Sequence, residues 1–164
     1  MGYDLYSQKE GLPEGEGYFR WNIWYWPPIL SLAHNFGWQP AGTVFYPLTQ
    51  ADIELHELSA EDQAHHQEIM DEWTGEYDSN SGQIVTTRDA LNMAVALERA
   101  LLEVPDEQLL EVDGDPSKEF LEKHRQRMRE GNRQALLLQF SGKSNKDYLK
   151  SFIEFLRHGC FQIS

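Results

Sequence analysis

Apolar positions recur at the helical period in three parts of this chain and alternate, partially, in one. Ile29, Leu32, Ala33 and Phe36 fall at i, i+3, i+4 and i+7, one buried helical face. Pro27 and Pro28 suit the first turn of that helix, where a missing N–H costs nothing, and Gly37 supplies its stop. Ala90, Met93, Ala94, Leu97, Ala100, Leu101 and Val104 hold the same spacing for four turns, beginning after Thr87 and ending before Pro105. Asn92, Arg99 and Glu103 fall off that stripe. A third helix is predicted over residues 147–158, with Tyr148, Leu149, Phe152, Phe155 and Leu156 facing in and Gly159 ending it.

Two further helices read as polar. Ser59 caps one running to about Trp73, with acids in its first turn. Ser117 caps a basic one running to about Glu130, after a linker formed by Asp113, Gly114, Asp115 and Pro116. Residues 18–24 read as an aromatic strand; residues 42–46 and 160–163 are shorter strand candidates, and a turn-rich stretch precedes residues 83–85. Residues 135–140 are apolar and buried, as helix or strand. The expectation is one globular domain over residues 1–164, of α+β class and helix-rich, with about five helices packed on a small sheet.

Charge changes this picture more than composition does. The net charge is −13, concentrated in a band. Residues 51–116 hold 18 of the 27 acids, against Arg88 and Arg99 alone, whereas residues 117–164 hold ten bases against five acids. Such a band repels phosphate backbones, so nucleic acid is not expected as its partner. It attracts basic protein surfaces, or the basic tail of its own chain or of a second copy. The longest apolar run is broken by Pro27 and Pro28 and is too short to span a bilayer, so no membrane partner is expected. The lone cysteine, Cys160, forbids an intramolecular disulfide. The N-terminal residues lack a basic start and an apolar core, and a cytoplasmic location is expected.

Three stretches carry candidate chemistry. The first is the histidine and carboxylate run 52–72, which includes His56, His65 and His66. On a helix Glu61, His65 and Glu68 share one face, a spacing that brings imidazole and carboxylates toward one divalent cation. A di-iron bundle would need Glu-x-x-His twice, and only Asp62-x-x-His65 occurs, once. The competing reading is a solvated acidic helix. No cofactor is predicted beyond that divalent metal. The second is the loop 73–83, where Tyr77, Asn80 and Gln83 are candidate binding residues among glycines that permit close backbone approach; turn chemistry, with Asn80 and Gly82 at positive φ, explains the same residues.

The third is the cluster Trp21, Trp24 and Trp26. Exposed, these rings stack on sugars or bases; alternating along a strand they put aromatic rings on both faces, which argues for core. Nucleophilic chemistry has little support. Cys160 abuts an apolar residue at a helix end, and no serine elbow, phosphate loop or dinucleotide fingerprint occurs.

Four short blocks, Phe19-Arg20-Trp21-Asn22, residues 37–43, Tyr77-x-x-Asn80-x-Gly82-Gln83 and residues 152–161, resemble words found in small bacterial proteins to which no activity is attached. The resemblance implies a bacterial, cytosolic, single-domain protein and no reaction. Sequence therefore points to a non-catalytic binding or regulatory protein that engages a basic partner, or a second copy, through residues 51–116. The alternative is a metal-binding protein or metal-dependent enzyme built on residues 52–72.

Overall fold

A computed structural model describes residues 1–108 and 118–164. Four short strands form one antiparallel sheet: β1 (Gly2–Ser7), β2 (Tyr18–Asn22), β3 (Ile84–Val85) and β4 (Phe161–Ile163), in the order β2-β1-β4-β3. The register follows side-chain alternation. Leu5 stands opposite Phe19 on one side and Ile163 on the other, and Val85 opposite Phe161, so these five side chains share the covered face. Tyr6, Tyr18 and Gln162 take the other face. Backbone bonds between Asp4 and Ser164 extend the β1–β4 ladder to the last residue.

Seven helices occur among the described residues: α1 (Trp26–Asn35), α2 (Gln50–Leu55), α3 (Ala60–Glu72), α4 (Thr87–Glu103), α5 (Lys118–Arg129), α6 (Arg133–Gln139) and α7 (Lys143–Arg157). The fold is α+β and helix-rich, as the patterning predicts. α4 and α7 pack face to face, α1 lies against α4, α5 and α6, and α7 reaches the sheet at β2. The predicted stripes are the ones buried: Ile29, Leu32 and Ala33 on α1, Ala90, Met93, Ala94, Leu97 and Ala100 on α4, and Leu149, Phe152, Phe155 and Leu156 on α7. Gly37 and Gly159 end α1 and α7 with φ of 105° and 91°, where a β-carbon is disfavoured.

Several expectations change. Residues 2–7, whose Tyr3 and Leu5 alternate with polar neighbours, form β1, which pairs with both β2 and β4. Residues 42–46 make one isolated bridge, Val44 to Ile84, rather than a strand. Residues 135–139 are helical; Asn132 caps α6 by accepting from the Ala135 N–H. α7 begins at Lys143, four residues earlier than the expected start at Asp147. Tyr148 is half-exposed, its ring lying against Phe19 and Trp21 at the sheet margin. The expected linker at 113–116 and the Ser117 cap lie outside the described residues. No helix among the described residues is long and apolar enough to cross a membrane.

Candidate functional site

The acidic band divides in two once folded. Three acids of its C-terminal part are paired within the chain: Arg157 of α7 bonds Glu98, Arg133 reaches Glu103 at 3.9 Å, and Lys146 bonds Asp106 at 2.6 Å. Among the described residues the basic tail thus pairs with the acidic middle of its own chain at these three positions. Residues 50–73 stay uncompensated. They carry Asp52, Glu54, Glu57, Glu61, Asp62, Glu68, Asp71 and Glu72 with no lysine or arginine. None of these eight carboxylates joins an ion pair among the described residues.

These residues form an arm, α2 followed by α3, in which no residue is buried. Short helices without a buried face are marginal in water, so the ends of this arm matter. Each helix opens with a reciprocal capping box. The Thr49 hydroxyl accepts from the Asp52 N–H while the Asp52 carboxylate accepts from the Thr49 N–H, and Ser59 and Asp62 repeat the arrangement. Those hydrogen bonds hold both carboxyls below the ordinary aspartate value. At the root, Trp73 donates its indole N–H to the Thr43 carbonyl at 3.0 Å and sets its ring edge-on to Phe45. His66 contacts the Tyr46 carbonyl at 3.0 Å. Gly42 and Gly75 let the two backbones cross; a β-carbon on Gly75 would lie 3.2 Å from the Gly42 Cα.

The predicted metal residues sit on this arm. Glu61, His65 and Glu68 are all exposed on α3. Among the described residues no three His, Cys, Asp or Glu side chains are grouped to hold a metal ion.

The loop after the arm has another role. Asn80 donates its amide to the Gly2 carbonyl at 3.2 Å, and its φ is not positive, so it works through its side chain rather than its backbone. Gly82 does take positive φ, 83°. Gln83 is fully buried, donating to the Ser79 carbonyl at 2.6 Å and accepting from the Ser81 N–H at 3.0 Å. Tyr77 leads to a buried polar cluster around Asp89. Its hydroxyl donates to the buried carboxylate of Asp89 and accepts from the Gly42 N–H at 2.9 Å. Asp89 also accepts from the Trp38 indole at 2.9 Å and the Ala41 N–H at 3.3 Å. Burial first, then the Asp89 bond and charge, push the Tyr77 hydroxyl well above its ordinary pKa.

Asp89 was hidden in the sequence: it sits in the first turn of α4, where an acid is ordinary, and its partners lie 51 and 12 residues away. Beside this cluster lies an open cleft of about 480 Å³, lined by Gln39, Arg88, Asn92 and Arg99 among others. Both bases of the acidic band therefore face one cleft, and Arg99 also reaches the Phe36 carbonyl at the end of α1.

The Trp cluster splits. Trp21 and Trp26 are core, but Trp24 is 59 % exposed. The strand ends at Asn22, whose side chain accepts from the Trp24 and Tyr25 N–H groups and turns the chain into α1. Strand alternation therefore stops before Trp24, which is why Trp24 does not join the core as the alternation argued. Comparison with protein-family models, curated proteins and solved structures returns no match for this chain.

Proposed function

We propose that this chain is a cytoplasmic binding protein whose α2–α3 arm engages a basic protein surface. One observation carries the reading: eight carboxylates, seven on two capped helices that bury nothing and Glu57 between them, with no lysine or arginine among residues 50–73 and no ion pair to any of the eight among the described residues. By contrast, Glu98, Glu103 and Asp106 are each paired with a cation of the basic tail. A field left uncompensated on a protruding element steers a basic partner and speeds its association. The arm narrows the acidic surface of residues 51–116 to residues 50–73.

The test uses a lysine- and arginine-rich peptide titrated calorimetrically across a salt series. The triple variant E61K/E68K/E72K reverses charge on the arm. The triple variant E10K/E14K/E16K makes the same change in net charge on the loop between β1 and β2. Arm reversal is expected to weaken binding about tenfold or more, and loop reversal by less than about threefold. Equal losses in both variants, or affinity insensitive to salt, would overturn the proposal.

A further inference from the structure

A second surface lies away from the arm, where the turn after β2 and the start of α1 meet α5. It is a pocket of about 230 Å³ lined by Ile23, Trp24, Pro27, Pro28 and Met128, with Arg125 and Arg129 at its edge. Its walls are apolar and held in place. The Asn22 side chain fixes the backbone at Trp24, two successive prolines occupy the first turn of α1, and Met128 is buried against the fold. A pocket that is already formed takes a ligand without the cost of ordering itself.

The two arginines give the pocket its polarity. Arg125 and Arg129 are one turn apart on α5 and so share a face. Neither pairs with a carboxylate among the described residues, although the chain holds 27 acids. The Arg125 guanidinium lies over the Trp24 ring, 5.0 Å from its centroid, which orients it without consuming its N–H donors. A large indole exposed at a rigid apolar wall, beside two guanidiniums without a carboxylate partner among the described residues, matches a ligand with an apolar body and one anionic end. The size restricts it further. The pocket is smaller than the roughly 300–1,000 Å³ typical of drug-sized sites, which leaves room for one ring and a short tail.

We infer that this pocket binds a small aromatic carboxylate, its ring against Trp24, Pro27, Pro28 and Met128 and its carboxylate on Arg125 and Arg129. A guanidinium fork meets a carboxylate with two parallel N–H donors, and the α5 spacing presents two such forks to one head group.

Three probes separate the contributions: 3-phenylpropionate, its neutral counterpart 3-phenyl-1-propanol, and acetate. Binding is followed by ligand-observed NMR and by acrylamide quenching of tryptophan emission; Trp21, Trp26 and Trp38 are buried and the half-buried Trp73 does not line the pocket, so the ligand-dependent change in quenching reports on Trp24. The carboxylate is expected to bind at roughly millimolar affinity or tighter, as its size allows, and to shield Trp24. The alcohol and acetate are each expected to bind about tenfold more weakly or not at all. R125Q/R129Q should lose about tenfold, while R127Q, on the same helix but outside the pocket, should not change binding. All these positions are exposed, and unchanged circular dichroism and melting would show that the variants fold. Equal binding of the alcohol, unchanged affinity in R125Q/R129Q or in W24A, or no binding of 3-phenylpropionate at about 10 mM would overturn the inference. The arm shares no residue with this pocket, so its charge-reversal variant should bind 3-phenylpropionate normally.

Discussion

Tyr77→Phe isolates the hydroxyl that ties the loop after the arm to the buried Asp89. The ring is unchanged, so its edge-on contact with Trp38, at 5.1 Å between centroids, survives and no cavity larger than an oxygen opens. Two partners are lost. One Asp89 oxygen loses its O–H donor while the other keeps the Trp38 and Ala41 donors; hydrogen bonds to charged groups contribute about 1.5–3 kcal/mol. The Gly42 N–H loses its acceptor, but it lies in a loop that water reaches, so about 0.5–1 kcal/mol is added. The expected loss is about 2–4 kcal/mol, a large part of the 5–15 kcal/mol typical of a domain. For a chain of this size that lowers Tm by roughly 5–15 °C.

Denaturant unfolding of wild type, Y77F, D89N and the double variant measures it, and the cycle gives the coupling of the pair. A loss under about 0.5 kcal/mol in Y77F, or strictly additive single effects, would refute the reasoning. Linkage supplies a second check. The Tyr77 pKa is raised on folding, so its contribution is complete below the unfolded value near 10.0 and is lost as pH climbs from there toward the higher folded value. Stability should therefore fall above pH 10, and Y77F should fall less steeply than wild type.

Other perturbations follow from the same structure. Ser59→Ala removes a capping box from a helix that buries nothing, so it should fray α3, seen as faster amide exchange over residues 60–72, while leaving global Tm nearly unchanged. The Asp62 pKa is lowered by that cap, so α3 should fray as pH falls from the ordinary aspartate range through the lower folded value; pH-dependent exchange would show it. Gly75→Ala places a β-carbon at φ 82° and against the Gly42 backbone, and should cost about 1–3 kcal/mol in denaturant unfolding. Leu97→Ala, at a fully buried position on α4, should cost about 2–5 kcal/mol with unchanged binding at the arm.

Much of the fold is legible from local pattern because the helices bury contiguous stripes. The period-3.6 spacing on α1, α4 and α7 names most of their buried residues, Tyr148 and the partly buried Leu101 excepted; the glycines after α1 and α7 mark their ends, and Ser59 marks the start of α3. β1 escapes such a reading because a six-residue strand is defined by its neighbours, and those are β2 nearby and β4 at the far end of the chain. Residues 135–139 are undecidable locally for a similar reason: an apolar run buried all round has no period, and the Asn132 cap that settles it is a single side-chain bond.

Sequence alone determined the charge segregation and the identity of the core faces, since both depend on residue type and short-range spacing. Tertiary structure decided which charges remain unmatched. The tail's cations fall beside Glu98, Glu103 and Asp106 because α7 packs on α4 and because α6, like α4, packs on α1, whereas the arm projects out of their reach. It also decided that Trp24 leaves the core while Trp21 and Trp26 stay in it, because Asn22 turns the chain between them. The Asp89 cluster was likewise a product of folding. A carboxylate in a first helical turn is unremarkable until an indole, a backbone amide and a phenol from distant segments close around it and remove it from water.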